Sequence, residues 1–220
     1  METEEYYKNL NNLNLITKEL IGHETIFMSP DGKIIRCIKA FNTINLIKNI
    51  EHYQLIKNNY NIYKSIAKYK EFPLFSWKRD TRFKQYNAWT DKEIYKKHLN
   101  GYDYYIDFDK KDFTEKYLKQ EVQDTSDYLT FKGIKHLIYS SGNGYHLKAW
   151  LKPINQNPEY CKKLTLKLIE KLGLLTPDLS IYKYQSIIKT PYSIDIKTKR
   201  ICTPIRPDMF KDFKKEETNI

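Results

Sequence analysis

The stretch GYDYYIDFD, residues 101 to 109, restricts what this chain can fold into more than any other. Tyr104, Ile106 and Phe108 alternate with Asp103, Tyr105, Asp107 and Asp109, and alternation of period two means a β-strand. The first set faces a core and the second is expected to face outward. Asp107 and Asp109 then share one face about 7 Å apart, where two carboxylates can jointly ligate Mg²⁺ or Mn²⁺, hard ions that take oxygen donors. Taken alone, D-x-D on a strand equally describes two solvated aspartates.

Charge is unevenly spread around this strand. Residues 60 to 100 carry ten basic and four acidic side chains, residues 181 to 215 nine and three, and residues 101 to 130 only four against eight. An acidic centre between basic flanks is the pattern of a carboxylate site set in a nucleic-acid groove, although solvated helix faces give the same count. The whole chain of 220 residues has 38 − 27 = +11 net charge, with 19 Tyr, 10 Phe and 3 Trp. Cations beside flat rings favour a polyanion partner, and with 40% hydrophobic residues the chain is neither disordered nor of low complexity. Cys37, Cys161 and Cys202 are odd in number and far apart, with no C-x-x-C. They build neither a disulfide framework nor a closed zinc site, and no structural zinc is expected. No apolar run approaches the roughly 20 residues that cross a bilayer, and the N-terminus is acidic. The expectation is a cytoplasmic protein with no membrane partner.

The remaining pattern predicts an α/β fold. Glu4 to Leu20 reads as one amphipathic helix, and the turn Ser29 to Lys33 joins two short strands as a hairpin. A second helix starts at Asn42 or Thr43, and Asn61 to Lys68 reads as a strand. It enters a loop in which Trp77, Lys78, Arg79, Arg82 and Lys84 interleave rings with cations, a pattern that suits a nucleic-acid strand and equally a solvated loop with rings tucked into the core. After the D-x-D strand come a helical crossover (111 to 127), strands at 135 to 140 and 146 to 151, and a helix from Glu159 to Leu172 ended by Gly173. Residues 181 to 190 read as a last strand and 211 to 220 as a frayed tail.

Two further segments carry candidate chemistry. SSGNGYH places glycines in a tight turn and His146 at the head of a strand. In LTPDLSIYKYQSIIKTPYSIDIK, Asp178 precedes the last strand, and Lys189, Ser193 and Lys197 follow. Each segment alone also fits an ordinary hairpin or a basic edge strand. The lone GNG is no Walker loop, because no G-K-[ST] follows.

In this order, a strand ending D-x-D, then S-G-x-G-Y-H, then an Asp before a strand with P-x-S beyond it, the chain resembles the archaeo-eukaryotic primase superfamily. The likeness is to the catalytic small subunit of archaeal primase and to primase-polymerases, and it covers roughly residues 25 to 205. Ser141 to His146 match the second motif. Asp178, Ile181, Tyr182, Ile188, Lys189, Pro191 and Ser193 match the third. The resemblance implies an N-terminal α/β module (1 to 100) packed on an RRM-like catalytic module (101 to 207), with a tail (208 to 220), as one integrated domain. It implies template-directed nucleotidyl transfer on single-stranded DNA, with nucleoside triphosphates as substrates and two Mg²⁺ or Mn²⁺ ions held by Asp107, Asp109 and Asp178. Ser141, Gly144, His146, Lys189, Ser193 and Lys197 are implied at the nucleotide. A primase large subunit or a helicase is an implied partner. The chain departs from the family in having Lys189 where Arg is usual, Ser186 where a further Arg is common, and no zinc-binding insert between Asp109 and Ser140. A polymerase of the superfamily that cannot start chains and a non-catalytic nucleic-acid-binding relative are the alternatives.

Overall fold

The computed structural model describes residues 2–38, 43–52, 54–69, 99–109, 113–142, 144–151 and 157–220. Two antiparallel sheets face each other. The first contains β1 (His23–Met28), β2 (Ile34–Ile38), β3 (Asn61–Tyr69) and β4 (Leu99–Tyr102) in the order β2-β1-β3-β4. On the edge of β3 away from β1, β8 (Ile187–Lys189) pairs with residues 63 to 65 and β4 with residues 67 to 69. The first sheet therefore draws a strand from the C-terminal third of the chain. β1 and β2 form the expected hairpin, closed where the Ser29 N–H reaches the Lys33 carbonyl at 3.0 Å and Gly32 takes φ +83°.

The second sheet runs β11-β6-β7-β5, from β5 (Tyr104–Phe108), β6 (His136–Ser140), β7 (Tyr145–Ala149) and β11 (Thr203–Ile205). β7 lies antiparallel between β5 and β6, so β5 and β6 run parallel and the long crossover between them is required. That crossover is α4 (Glu115–Phe131), capped by the Thr114 side chain, and α5 (Pro158–Leu172) follows β7 with Asn157 as cap and Gly173 at φ +66° as its stop. This β-α-β-β unit places β7 between β5 and β6, with the fourth strand, β11, on the outer edge of β6. The short β9 (Ile194–Asp195) and β10 (Arg200–Ile201) make a separate hairpin.

Alternation along β5 decides how the layers stack. Tyr104, Ile106 and Phe108 join Leu118, Val122, Leu129, Cys161 and Leu168 of α4 and α5 in one core. A second core lies between α1 (Thr3–Lys8), α2 (Leu10–Leu20), α3 (Thr43–His52) and the far face of the first sheet, with Ile194 and Ile196 added. The other face of β5 does not look outward, contrary to the sequence expectation. Asp103 is 9% and Tyr105 1% exposed, because the first sheet covers them. Asp103 takes Lys148 and Lys68 at 2.7 Å each and faces His23 at 3.7 Å. Lys64, fully buried, pairs with Glu19 at 2.6 Å beneath the Tyr105 ring. The space between the sheets is thus polar and internally paired, as a buried charge requires.

Three local readings are corrected. The first helix is broken, because the Asn9 side chain accepts from the Asn11 and Asn12 N–H groups and starts a new helix there. The stretch 181 to 186 is not strand. The carbonyls of Ile181 and Lys183 accept from the Tyr102 hydroxyl, and that of Tyr184 accepts from Tyr69, so tyrosines replace a strand partner. The last residues are not frayed. Lys215 is 8% exposed and bonds Glu115 at 2.9 Å, and Ile220 donates to the Lys199 carbonyl.

Candidate active site

The site is built at one end of the second sheet. β5 delivers Asp107 from its polar face and Asp109 from the residue after its end. Asp178 arrives from the segment after α5, and two backbone bonds fix its approach. Its N–H donates to the Asp107 carbonyl at 2.8 Å, and the Asp109 N–H reaches the Thr176 carbonyl at 3.4 Å, on either side of a bridge between Phe108 and Pro177. The result is a cluster in which one carboxylate oxygen from each of Asp107, Asp109 and Asp178 lies within 4.8 Å of the others, all three residues partly exposed. Asp178 also caps the short 3-10 helix Leu179–Ile181, Oδ1 accepting from the Ser180 N–H and Oδ2 from its hydroxyl, both at 2.8 Å. A carboxylate has about four acceptor positions, so both oxygens retain capacity.

His146 sits opposite Asp107 in the β5–β7 register, its Nε2 3.4 Å from the Asp107 carboxylate. Burial, with the Lys189 and Lys64 cations nearby, pushes the imidazole down to about 3, so it is neutral at ordinary pH. The turn before it fits closely. A Cβ on Gly144 would stand 2.4 Å from the Phe108 carbonyl oxygen and 3.6 Å from the Asp109 carboxylate. Gly142, at φ +102°, packs against Asp195 and Thr198, and Arg200 donates to its carbonyl at 3.4 Å. The Ser141 N–H bonds the Gly144 carbonyl at 3.1 Å, and Ser141 is partly exposed.

The other expected residues are distributed differently. Lys189 is 4% exposed, its ammonium bonded to the Asp195 carboxylate, donating to Asn61 at 3.2 Å and lying over the Tyr63 ring. Burial lowers its pKa against the pull of Asp195. Burial would raise the Asp195 carboxyl, but Lys189 and Thr198 bring it below the usual range. Ser193 is fully buried, its hydroxyl directed to the carbonyls of Thr190 and Ile62. Lys197 is exposed in the tip of the β9–β10 hairpin, two residues beyond Asp195. Trp77, Lys78, Arg79, Arg82 and Lys84 lie outside the described residues.

Two residues not singled out from the sequence belong here. Asp195 is the partner that holds Lys189, and six residues of separation was its only signal. Glu121 binds the segment that leads to Asp178. It falls on the stripe Leu118, Val122, Thr125, Leu129 of α4, and a carboxylate on an apolar stripe was a readable signal.

No known protein family and no curated protein matches this sequence. Among solved structures, the polymerase domain of ligase D from Mycobacterium tuberculosis, in complex with DNA, is similar, with a TM-score of 0.63 at 13% identity over 96% of this chain and 82% of that one. The chain therefore shares the mixed α/β fold of that polymerase domain. Among the described residues, no helix is long and apolar enough to cross a membrane.

Proposed function

We propose that this chain is a template-directed nucleotidyltransferase of the primase-polymerase type, acting on single-stranded DNA with nucleoside triphosphates. The observation that carries the reading is the convergence of Asp107, Asp109 and Asp178 within 4.8 Å, on a fold shared with a DNA-bound polymerase domain. Three oxygen donors from aspartates suit Mg²⁺ or Mn²⁺ rather than a soft metal. When bound, two such ions lower the pKa of an attacking hydroxyl and neutralise a leaving pyrophosphate.

The residues of the chain divide the remaining work. Asp107 and Asp109 would hold the ions, and Asp178 would complete the ligand set on the side of the attacking 3′-hydroxyl. Neutral His146, a hydrogen-bond donor beside Asp107, meets the triphosphate, with Ser141 in the turn before it and Lys197 in the β9–β10 hairpin that packs on Gly142. Gly144 lets this turn approach the acid-bearing strand without a side chain between them. Lys189 and Ser193 act behind this surface, holding the β8–β9 connection on which it rests, with Lys189 able to reach phosphate only by sharing its ammonium with Asp195. No protein nucleophile is required, since phosphoryl transfer rests on positioning and electrostatics. Trp77, Lys78, Arg79, Arg82 and Lys84 are proposed to track the template.

The likeness to a polymerase domain of a ligase favours, as a second reading, extension of existing ends without priming. The purified chain, incubated with Mn²⁺, nucleotides of both sugar types and a mixed-sequence single strand, with and without an annealed primer, tests both. Products without primer establish priming, and products only with primer establish the second reading. Absence of both, with retained DNA binding, overturns the enzyme.

A further inference from the structure

The third acid of the cluster has no regular element to carry it. Residues 174 to 178 follow the end of α5 and precede a three-residue 3-10 helix, and their strand pairing is a single isolated bridge. What holds them on the other side is Glu121. This residue is 4% exposed, and a carboxylate that buried persists only when its oxygens are well supplied with donors. Oε1 accepts from the Leu175 N–H at 2.6 Å, and Oε2 accepts from the Thr176 N–H at 2.9 Å and the Thr176 hydroxyl at 2.5 Å.

These bonds do not serve the helix end. α5 is already closed by the Gly173 and Leu174 N–H groups, both returning to the Ile169 carbonyl. Leu175 and Thr176 lie past that stop, so Glu121 acts on the chain leading to the acid cluster. Thr176, fully buried, is gripped from two directions: Glu121 takes its N–H and hydroxyl, and its carbonyl takes the Asp109 N–H. Two residues on, Asp178 donates to Asp107. Glu121 itself stands on α4, whose Leu118, Val122 and Leu129 are locked in the core beneath β5.

From this geometry we infer that Glu121 is a positioning residue, clamping the Leu175–Thr176 backbone so that the Asp178 carboxylate meets those of Asp107 and Asp109. The role in metal binding rests on the reading proposed above, whereas the clamp itself does not. Glu121→Gln keeps the side-chain volume but turns one acceptor oxygen into a donor facing donors. Thr176→Val removes one of the three bonds and leaves the carboxylate in place. Gln120→Ala, on the exposed side of the same helix, is the control.

Two measurements on the full-length, metal-free chain decide the matter, at a temperature where circular dichroism reports each variant folded. Amide hydrogen exchange of a peptide spanning 174 to 178 should quicken about tenfold in Glu121→Gln and by a smaller factor in Thr176→Val, with protection of β6 and β7 retained. Mn²⁺ affinity by calorimetry should fall about tenfold to a hundredfold in Glu121→Gln, the range for partners that orient ligands. If Glu121→Gln does not fold, Thr176→Val carries both measurements. Unchanged exchange in the variants overturns the clamp. Mn²⁺ affinity within about twofold of the parent, while Asp178→Ala abolishes binding, overturns the positioning role alone. Unchanged binding in Asp178→Ala overturns the metal reading and the positioning role together.

Discussion

Asp178 donates its backbone N–H to the carbonyl oxygen of Asp107 at 2.8 Å, so acids far apart in sequence are joined by main chain and not by their side chains. Side-chain truncation should leave this joint intact. Alanine at Asp107, Asp109 or Asp178 is expected to abolish Mn²⁺ binding in calorimetry and to cut nucleotide incorporation by at least about a hundredfold, since metal-borne charge stabilisation is worth several kcal/mol. Single-strand affinity, read by fluorescence anisotropy, should stay within a few-fold. Asp178→Ala should also cost about 1 kcal/mol of stability, because it removes the cap on Ser180. Near-normal incorporation by any of the three would refute the metal assignment.

Gly144 tests how closely the SGNG turn is fitted to the acid-bearing strand. Its added Cβ would meet the Phe108 carbonyl oxygen, a backbone atom inside the β5–β7 ladder that cannot swing aside. Gly144→Ala is expected to destabilise the chain by about 1–3 kcal/mol through forced separation of the strands. Weaker Mn²⁺ binding should accompany it, because Asp109 adjoins the same point. Parental urea unfolding and parental Mn²⁺ affinity in this variant would mean that the turn relaxes without disturbing the cluster.

Parts of this arrangement were legible in the sequence for definite reasons. Period-two alternation identified β5 and the shared face of Asp103, Tyr105 and Asp107, and the helix ending at Gly173 was readable from its stop signal. Alternation says which residues share a face, but not what covers it. The cover over Asp103 comes from Lys68 on β3 and His23 on β1, about thirty-five and eighty residues away in sequence. Asp178 was located by its spacing to Lys189, whereas the strand assumed between them exists only at 187–189. Tyrosine hydroxyls from β3 and β4 hold the rest, and no local pattern announces such bonds. The same limit applies to Lys189. A lysine between isoleucine and threonine reads as an edge-strand cation, and its burial follows from Asp195 and Asn61 closing over it.

Lys189 gives a test that separates support of the frame from contact with phosphate. Lys189→Ala leaves the Asp195 carboxylate largely buried, with Thr198 as its remaining donor among the described residues, and breaking a buried pair in this way costs about 3 kcal/mol. Removing Asp195 as well should recover part of that loss, so a four-protein urea-unfolding cycle is expected to give a favourable coupling of at least about 1 kcal/mol. A phosphate-gripping lysine with no structural part would instead leave stability at the parental value and raise the nucleotide KM.

His23 supplies the pH dependence. It is 3% exposed, its Nδ1 is 2.6 Å from the Ser65 carbonyl, and Lys64, Asp103, Lys68 and Lys148 are the charged groups around it. Burial, aided by the three lysines and opposed by Asp103, lowers its pKa from 6.5 to about 3. The unfolded chain therefore binds this proton below about pH 6.5 while the folded chain does not until about pH 3, so folding stability is present above that window and declines as pH falls through it. One such group changes stability by at most about 1.4 kcal/mol per pH unit. Urea unfolding between about pH 7 and 4.5 should thus show a steeper acid loss in the parent than in His23→Gln, by up to that slope below about pH 6. His146, held down by burial in the same sense, remains in both proteins and cancels from the comparison. Equal slopes would mean that His23 takes up its proton at the same pH folded as unfolded, the Asp103 carboxylate at 3.7 Å offsetting burial and the three lysines.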